Sequence, residues 1–87
     1  MKNITAEIKG LYEVEKISLE EIAACVRDHI EKHNCDIRWI YMQPPQASEL
    51  ANLINSVFIF FPLYPGSELK LQIKRDDNKQ RNTIFIL

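Results

Sequence analysis

Residues 17–34 read ISLEEIAACVRDHIEKHN, and the reading of this stretch decides the fold. Ser18 has the chemistry of an N-cap, and Glu21 follows three residues later, the spacing of a capping box. Ile17 before the cap and Ile22 inside the helix have the spacing of a hydrophobic staple. Leu19, Ile22, Ala23, Val26, Ile30 and His33 then recur at three- and four-residue steps, so one face is apolar. Asn34 tolerates the left-handed conformation that ends a helix. The stretch is therefore an amphipathic helix with a marked start and stop, and its apolar face requires a partner layer.

That layer is sought on either side. Residues 3–16 alternate, with Ile4, Ala6, Ile8, Gly10, Tyr12 and Val14 on one side and Thr5, Glu7, Lys9, Leu11, Glu13 and Glu15 on the other. A period of two predicts a half-buried strand, with Gly10 at a bulge, bend or end. After the helix, DIRWIYMQ (36–43) has the aromatic and β-branched content of a strand, and Pro44-Pro45 stops it. QASELANLINSV, from Gln46, has apolar residues at Ala47, Leu50, Ala51, Ile54 and Val57, which predicts a second helix. VFIFFPLYPG (57–66) is the most apolar run of the chain. It either continues that helix or adds a short strand, and Pro62 and Pro65 argue against a long regular element. ELKLQIKR is a strand with Leu69, Leu71 and Ile73 facing in, DDNKQ a polar turn, and RNTIFIL a last strand or a short terminal helix.

The expected fold class follows: α+β, a two-layer open-faced sandwich with two helices on one face of a mainly antiparallel four-stranded sheet, ordered β-α-β-α-β plus a terminal element. At 87 residues this is one domain, 1–87. An apolar share of 46%, a charged share of 26% and a net charge of −1 fit a soluble globular chain and give no general support to a nucleic-acid partner. Residues 1–33 hold seven acids and five bases, and residues 66–87 three acids and five bases, an asymmetry too mild to assign a partner. The chain lacks an 18-residue apolar run, so no membrane is expected. The opening residues lack the apolar core of a signal peptide, so a cytoplasmic location is expected, with Cys25 and Cys35 as small, partly buried free thiols.

The order of elements resembles the histidine-containing phosphocarrier (HPr) family of the bacterial sugar phosphotransferase system. The resemblance runs over roughly residues 3–80: an amphipathic strand into Gly10-Leu11-Tyr12, the helix after Ser18, the strand in CDIRWIYMQ, the helix opened by Ala47-Ser48-Glu49-Leu50, Pro65-Gly66-Ser67 leading into ELKLQI, and Asp76-Asp77 in the acidic turn. It implies an active-site position at Tyr12, where the family has its phosphorylated histidine, and a possible regulatory site at Ser48. The departures are specific. A phenol is a poor carrier of a labile phosphoryl group at neutral pH, and Glu13-Val14-Glu15 replaces the family's arginine and proline with residues that repel a phosphoryl donor. The resemblance thus implies a degenerate member, with no catalytic residue and no cofactor.

Cys25, His29 and His33 fall at four-residue steps, but without the glutamate of a metalloprotease helix they read as structural, His33 toward the apolar face and His29 at its border. No metal site is expected. Lys70, Lys74, Arg75, Lys79 and Arg81 either form a solvated strand face or a basic wing; the wing belongs to a winged-helix alternative that requires residues 3–15 to be helical. Phe58, Phe60, Phe61, Leu63 and Tyr64 form a possible partner patch. The expected function is a non-enzymatic binding or regulatory domain acting through that patch, with homodimerisation through the C-terminal strand as an edge. The alternatives are a phosphoryl carrier using another residue, or the winged-helix nucleic-acid binder.

Overall fold

The computed structural model describes residues 10–33, 37–64 and 67–87, and for residues 63–67 no side chain is described. Two helices and five strands follow in the order β1 (Leu11–Glu13), α1 (Leu19–His33), β2 (Trp39–Met42), α2 (Pro44–Ile54), β3 (Phe58–Tyr64), β4 (Ser67–Arg75) and β5 (Thr83–Ile86). The domain is α+β. Its sheet has five strands, not four, in the order β1-β5-β2-β4-β3. It is mixed: β2 and β4 are parallel, and the other three pairs are antiparallel.

Helix α1 starts where its sequence says. The Glu21 amide donates to Ser18 Oγ at 3.2 Å, Glu20 and Glu21 lie in the first turn, and Lys32 and His33 in the last, so both ends suit the helix dipole. Asn34, expected to end the helix, lies outside the described residues. Helix α2 begins two residues earlier than its periodicity suggests. Pro44 and Pro45 stop β2 and then occupy the first helical positions, where a missing N–H is harmless. Ser48 is consequently inside the helix and does not cap it. Asn55 closes α2 in the left-handed conformation (φ 58°), and the Asn55 and Ser56 amides both donate to the Ala51 carbonyl.

The registers assign every strand residue to a face. Ile40 lies between Ile73 and Ile86; Met42 opposes Ile84, which opposes Tyr12; Ile59 opposes Leu71, and Phe61 opposes Leu69. All the buried strand residues share this face, and Ile22 and Val26 of α1 and Ala47 and Leu50 of α2 join the same cluster. Both helices therefore cover one side of the sheet. Truncating a residue such as Ile40, fully buried at the centre, costs about 2–5 kcal/mol.

Three sequence expectations need correction. The 57–66 run is a seven-residue strand that includes Pro62. Ile73 N–H donates to Val57 C=O at 2.7 Å, so odd-numbered residues of β3 turn their backbone groups to β4 and even-numbered ones turn outward. Proline at 62 thus loses only an outward-facing donor at the end of the sheet. Next, the chain terminus is a strand, but not an edge. β5 pairs with β1 on one side and β2 on the other, so its backbone cannot template a homodimer. Finally, Leu11–Glu13 is a strand in the sheet, which removes the helix that the winged-helix alternative needs there; residues 3–9 of that segment lie outside the described residues.

Candidate functional site

Strand β3 ends the sheet opposite β1, and its outer backbone is the feature from which a site can be built. Of the outward groups, the Phe58 amide donates to Ser56 Oγ at 2.9 Å, and Pro62 has no amide hydrogen. Phe60 is the residue between them that presents both N–H and C=O away from β4. The edge is thus closed at both ends and open over a few residues in the middle, which limits pairing to a short segment.

Beside this edge lies an apolar groove of about 630 Å³, lined by Leu19 and Ala23 of α1, Ile54 of α2, and Ile59, Phe60 and Phe61 of β3. Glu20 at its mouth supplies one charge. Phe60 is 52% exposed and Leu19 40% exposed, large values for apolar residues on either wall. Leu19, in the first turn of α1, is exposed on this wall, whereas Ile22 and Val26 further along the helix are buried in the core. Val57 and Leu53, after and near the end of α2, are exposed as well.

Of the predicted patch, the structure places Phe58, Phe60 and Phe61 on β3, with Phe61 packed against the core and Phe58 half-buried under the ammonium of Lys70 at 4.7 Å. Leu63 and Tyr64 belong to the strand, but their side chains lie outside the described residues. Sequence reasoning missed the helical half of the site. Leu19, Ala23 and Ile54 carry the same periodic signal as core residues, and only the packed structure shows that they line the groove.

The other singled-out residues do not gather here. Tyr12 points to the core side of β1. Its hydroxyl donates to Asp28 Oδ2 at 3.2 Å and its ring meets His29 edge-on at 6.3 Å. Asp28 is ten residues beyond Ser18, about 15 Å along the helix axis, so Tyr12 does not sit at the start of α1. His29, not His33, is the buried histidine. It packs over Gly10 and stacks on His33, which is exposed at the last helical position. Cys25 is half-buried, and desolvation, aided by Glu21 and Asp28, pushes its thiol up to about 11; Cys35 lies outside the described residues. Among the described residues no three histidine, cysteine or acidic side chains are placed to share a metal, and no helix is long and apolar enough to cross a membrane.

The basic residues do not form one wing. Lys70 and Lys74 lie on the helix-free face of the sheet. Lys79 pairs with Asp76 at 3.0 Å, and the Asn78 amide and Lys79 hold that carboxyl below its ordinary pKa. Arg81 borders a smaller polar cleft with Glu15 and Glu49.

The fold and this edge define a small two-layer α+β domain with a mixed sheet and one end open to pairing. Among known proteins, no family model, no curated protein and no solved structure matches the chain.

Proposed function

We propose that this domain is a non-enzymatic binding module that captures a short, extended, apolar protein segment along β3. The observation that supports this most is the adjacency of the outward N–H and C=O of Phe60 to the groove between β3 and the start of α1. A peptide strand laid on β3 gains main-chain hydrogen bonds from the edge, and an alternate side chain enters the groove, the two components of strand-addition recognition. Closure of the edge by Ser56 and Pro62 sets the length of the paired segment at about three or four residues. Glu20 favours a ligand with a basic residue flanking its apolar one.

Selection from a displayed library of random peptides tests this, followed by calorimetry on the selected sequences. The expected result is peptides with an apolar residue in an extended run, whose affinity falls at least tenfold in Phe60→Lys and Leu19→Lys while the circular dichroism spectrum is retained. Peptides that bind both variants as well as the parent would overturn the reading.

A further inference from the structure

The second surface lies on the side of the sheet that the helices leave uncovered, and it does not depend on β3 pairing. The registers order it in rows. Phe85 opposes Tyr41, which opposes Lys74; one row away Trp39 opposes Gln72, which opposes Phe58. The Tyr41 and Phe85 rings are 6.1 Å apart. Lys70 lies over the Phe58 ring and Lys79 over Phe85, at 4.7 and 5.3 Å. The carboxylates on this face, Glu13 and Glu68, sit at opposite rims, across from Thr83 and Pro62, and Asp76 is already paired to Lys79. Among the described residues the centre therefore combines three central-strand aromatic rings with the ammonium groups of Lys70 and Lys74, neither of them in an ion pair, and carries no carboxylate.

A surface that only needed solvation would place polar side chains there, and a purely apolar interface would avoid the lysines. Flat rings interleaved with cations suit a ligand that is itself flat-ringed and anionic. We propose that this face binds a short stretch of single-stranded nucleic acid, with bases stacked on Trp39 and Tyr41 and two phosphates held by Lys70 and Lys74. The contacts carry no base-specific code, so recognition is of single-strandedness rather than sequence. Two neutralised phosphates predict modest affinity and a slope of log K against log salt of about −1.4.

Trp39 is the one tryptophan of the chain, so its fluorescence reports directly on the site. Titration with an eight-nucleotide oligothymidylate is expected to quench it saturably, with a duplex hairpin and inorganic polyphosphate as controls that quench less and compete weakly. Tyr41→Ala should weaken binding by roughly tenfold or more, and the milder Lys74→Gln should reduce the salt slope to about −0.7. Leu19→Lys, which disables the groove on the helix side of the sheet, should leave the titration unchanged, so failure of the peptide reading and failure of this one are distinguishable. The proposal is overturned if the oligonucleotide does not quench Trp39, if polyphosphate competes as well as the oligonucleotide, or if light scattering shows a dimer that Tyr41→Glu splits, which would assign the face to a second copy.

Discussion

Gln46 and Asn82, thirty-six residues apart, exchange two hydrogen bonds of 2.8 Å: the Gln46 amide donates to the Asn82 side chain, and the Asn82 backbone N–H donates to Gln46 Oε1. Asn82 also donates to the Glu15 carbonyl at 3.1 Å, and its own carbonyl accepts from Val14. The pair thus ties the first turn of α2, the start of β5 and the loop after β1 at one corner. Asn82 has φ +61°, a conformation asparagine tolerates and alanine does not. Asn82→Ala strands a buried glutamine and adds backbone strain, about 2–4 kcal/mol together. The midpoint of thermal unfolding should fall by roughly 10–25 °C. Asn82→Gly keeps the backbone conformation and should lose less; a larger loss in the glycine variant would refute the account of this corner.

Gly10 has φ +88°, and its carbonyl accepts from the Ile86 amide at 2.8 Å. A Cβ there would overlap the Ile86 carbonyl, which is backbone of an interior strand and cannot move aside. Gly10→Ala should therefore cost more than about 3 kcal/mol in urea unfolding and detach β1, an effect beyond the cost of backbone strain alone. A variant within 1 kcal/mol of the parent would mean that β1 is not held against β5 as described.

Pro62 guards the β3 edge. Pro62→Thr restores an outward N–H beside Phe60 and lengthens the run available to a second chain. Size-exclusion chromatography over a concentration series should show concentration-dependent assembly of the variant that the parent lacks. Identical elution at all concentrations would show that proline is not what limits pairing.

Cys25 gives a pH prediction. Its folded-state pKa, about 11, lies above that of an unfolded thiol near 9, so the folded state holds the proton more tightly. Its contribution to stability is complete below about pH 9 and is lost as pH rises through about 11. The difference in unfolding free energy between the parent and Cys25→Ala should be flat below pH 8.5 and shrink above it. Alkylation by iodoacetamide at pH 8 should be slow compared with free cysteine; rapid alkylation of the native protein would contradict the burial.

Much of the fold is written in local pattern. Ser18 and Glu21 mark the start of α1, the alternation of Leu69, Leu71 and Ile73 marks β4, and both appear in the structure as read. Period and capping are properties of neighbouring residues, so a sequence displays them. Whether β5 is an edge is decided by β1 and β2, remote in sequence, and the parallel pairing of β2 with β4 has no local signature. Pro62 is illegible in the sequence for the same reason: its effect depends on which way residue 62 turns its backbone, a consequence of the Val57–Ile73 register. The site shows the same division. Phe58, Phe60 and Phe61 stand out as an apolar run, whereas Leu19 looks like any other member of a helical core stripe until the helix is placed against the sheet.

The central claim is that β3 is an open edge at Phe60, and residue-resolved amide hydrogen exchange tests it most directly. In the free protein the Phe60 amide should exchange quickly while those of Ile59 and Phe61, which face β4, are protected. A peptide selected for binding should slow Phe60 at least tenfold and leave Ile59 and Phe61 unchanged. Slow exchange of Phe60 in the free protein, or binding that protects other amides and leaves Phe60 exposed, would contradict it.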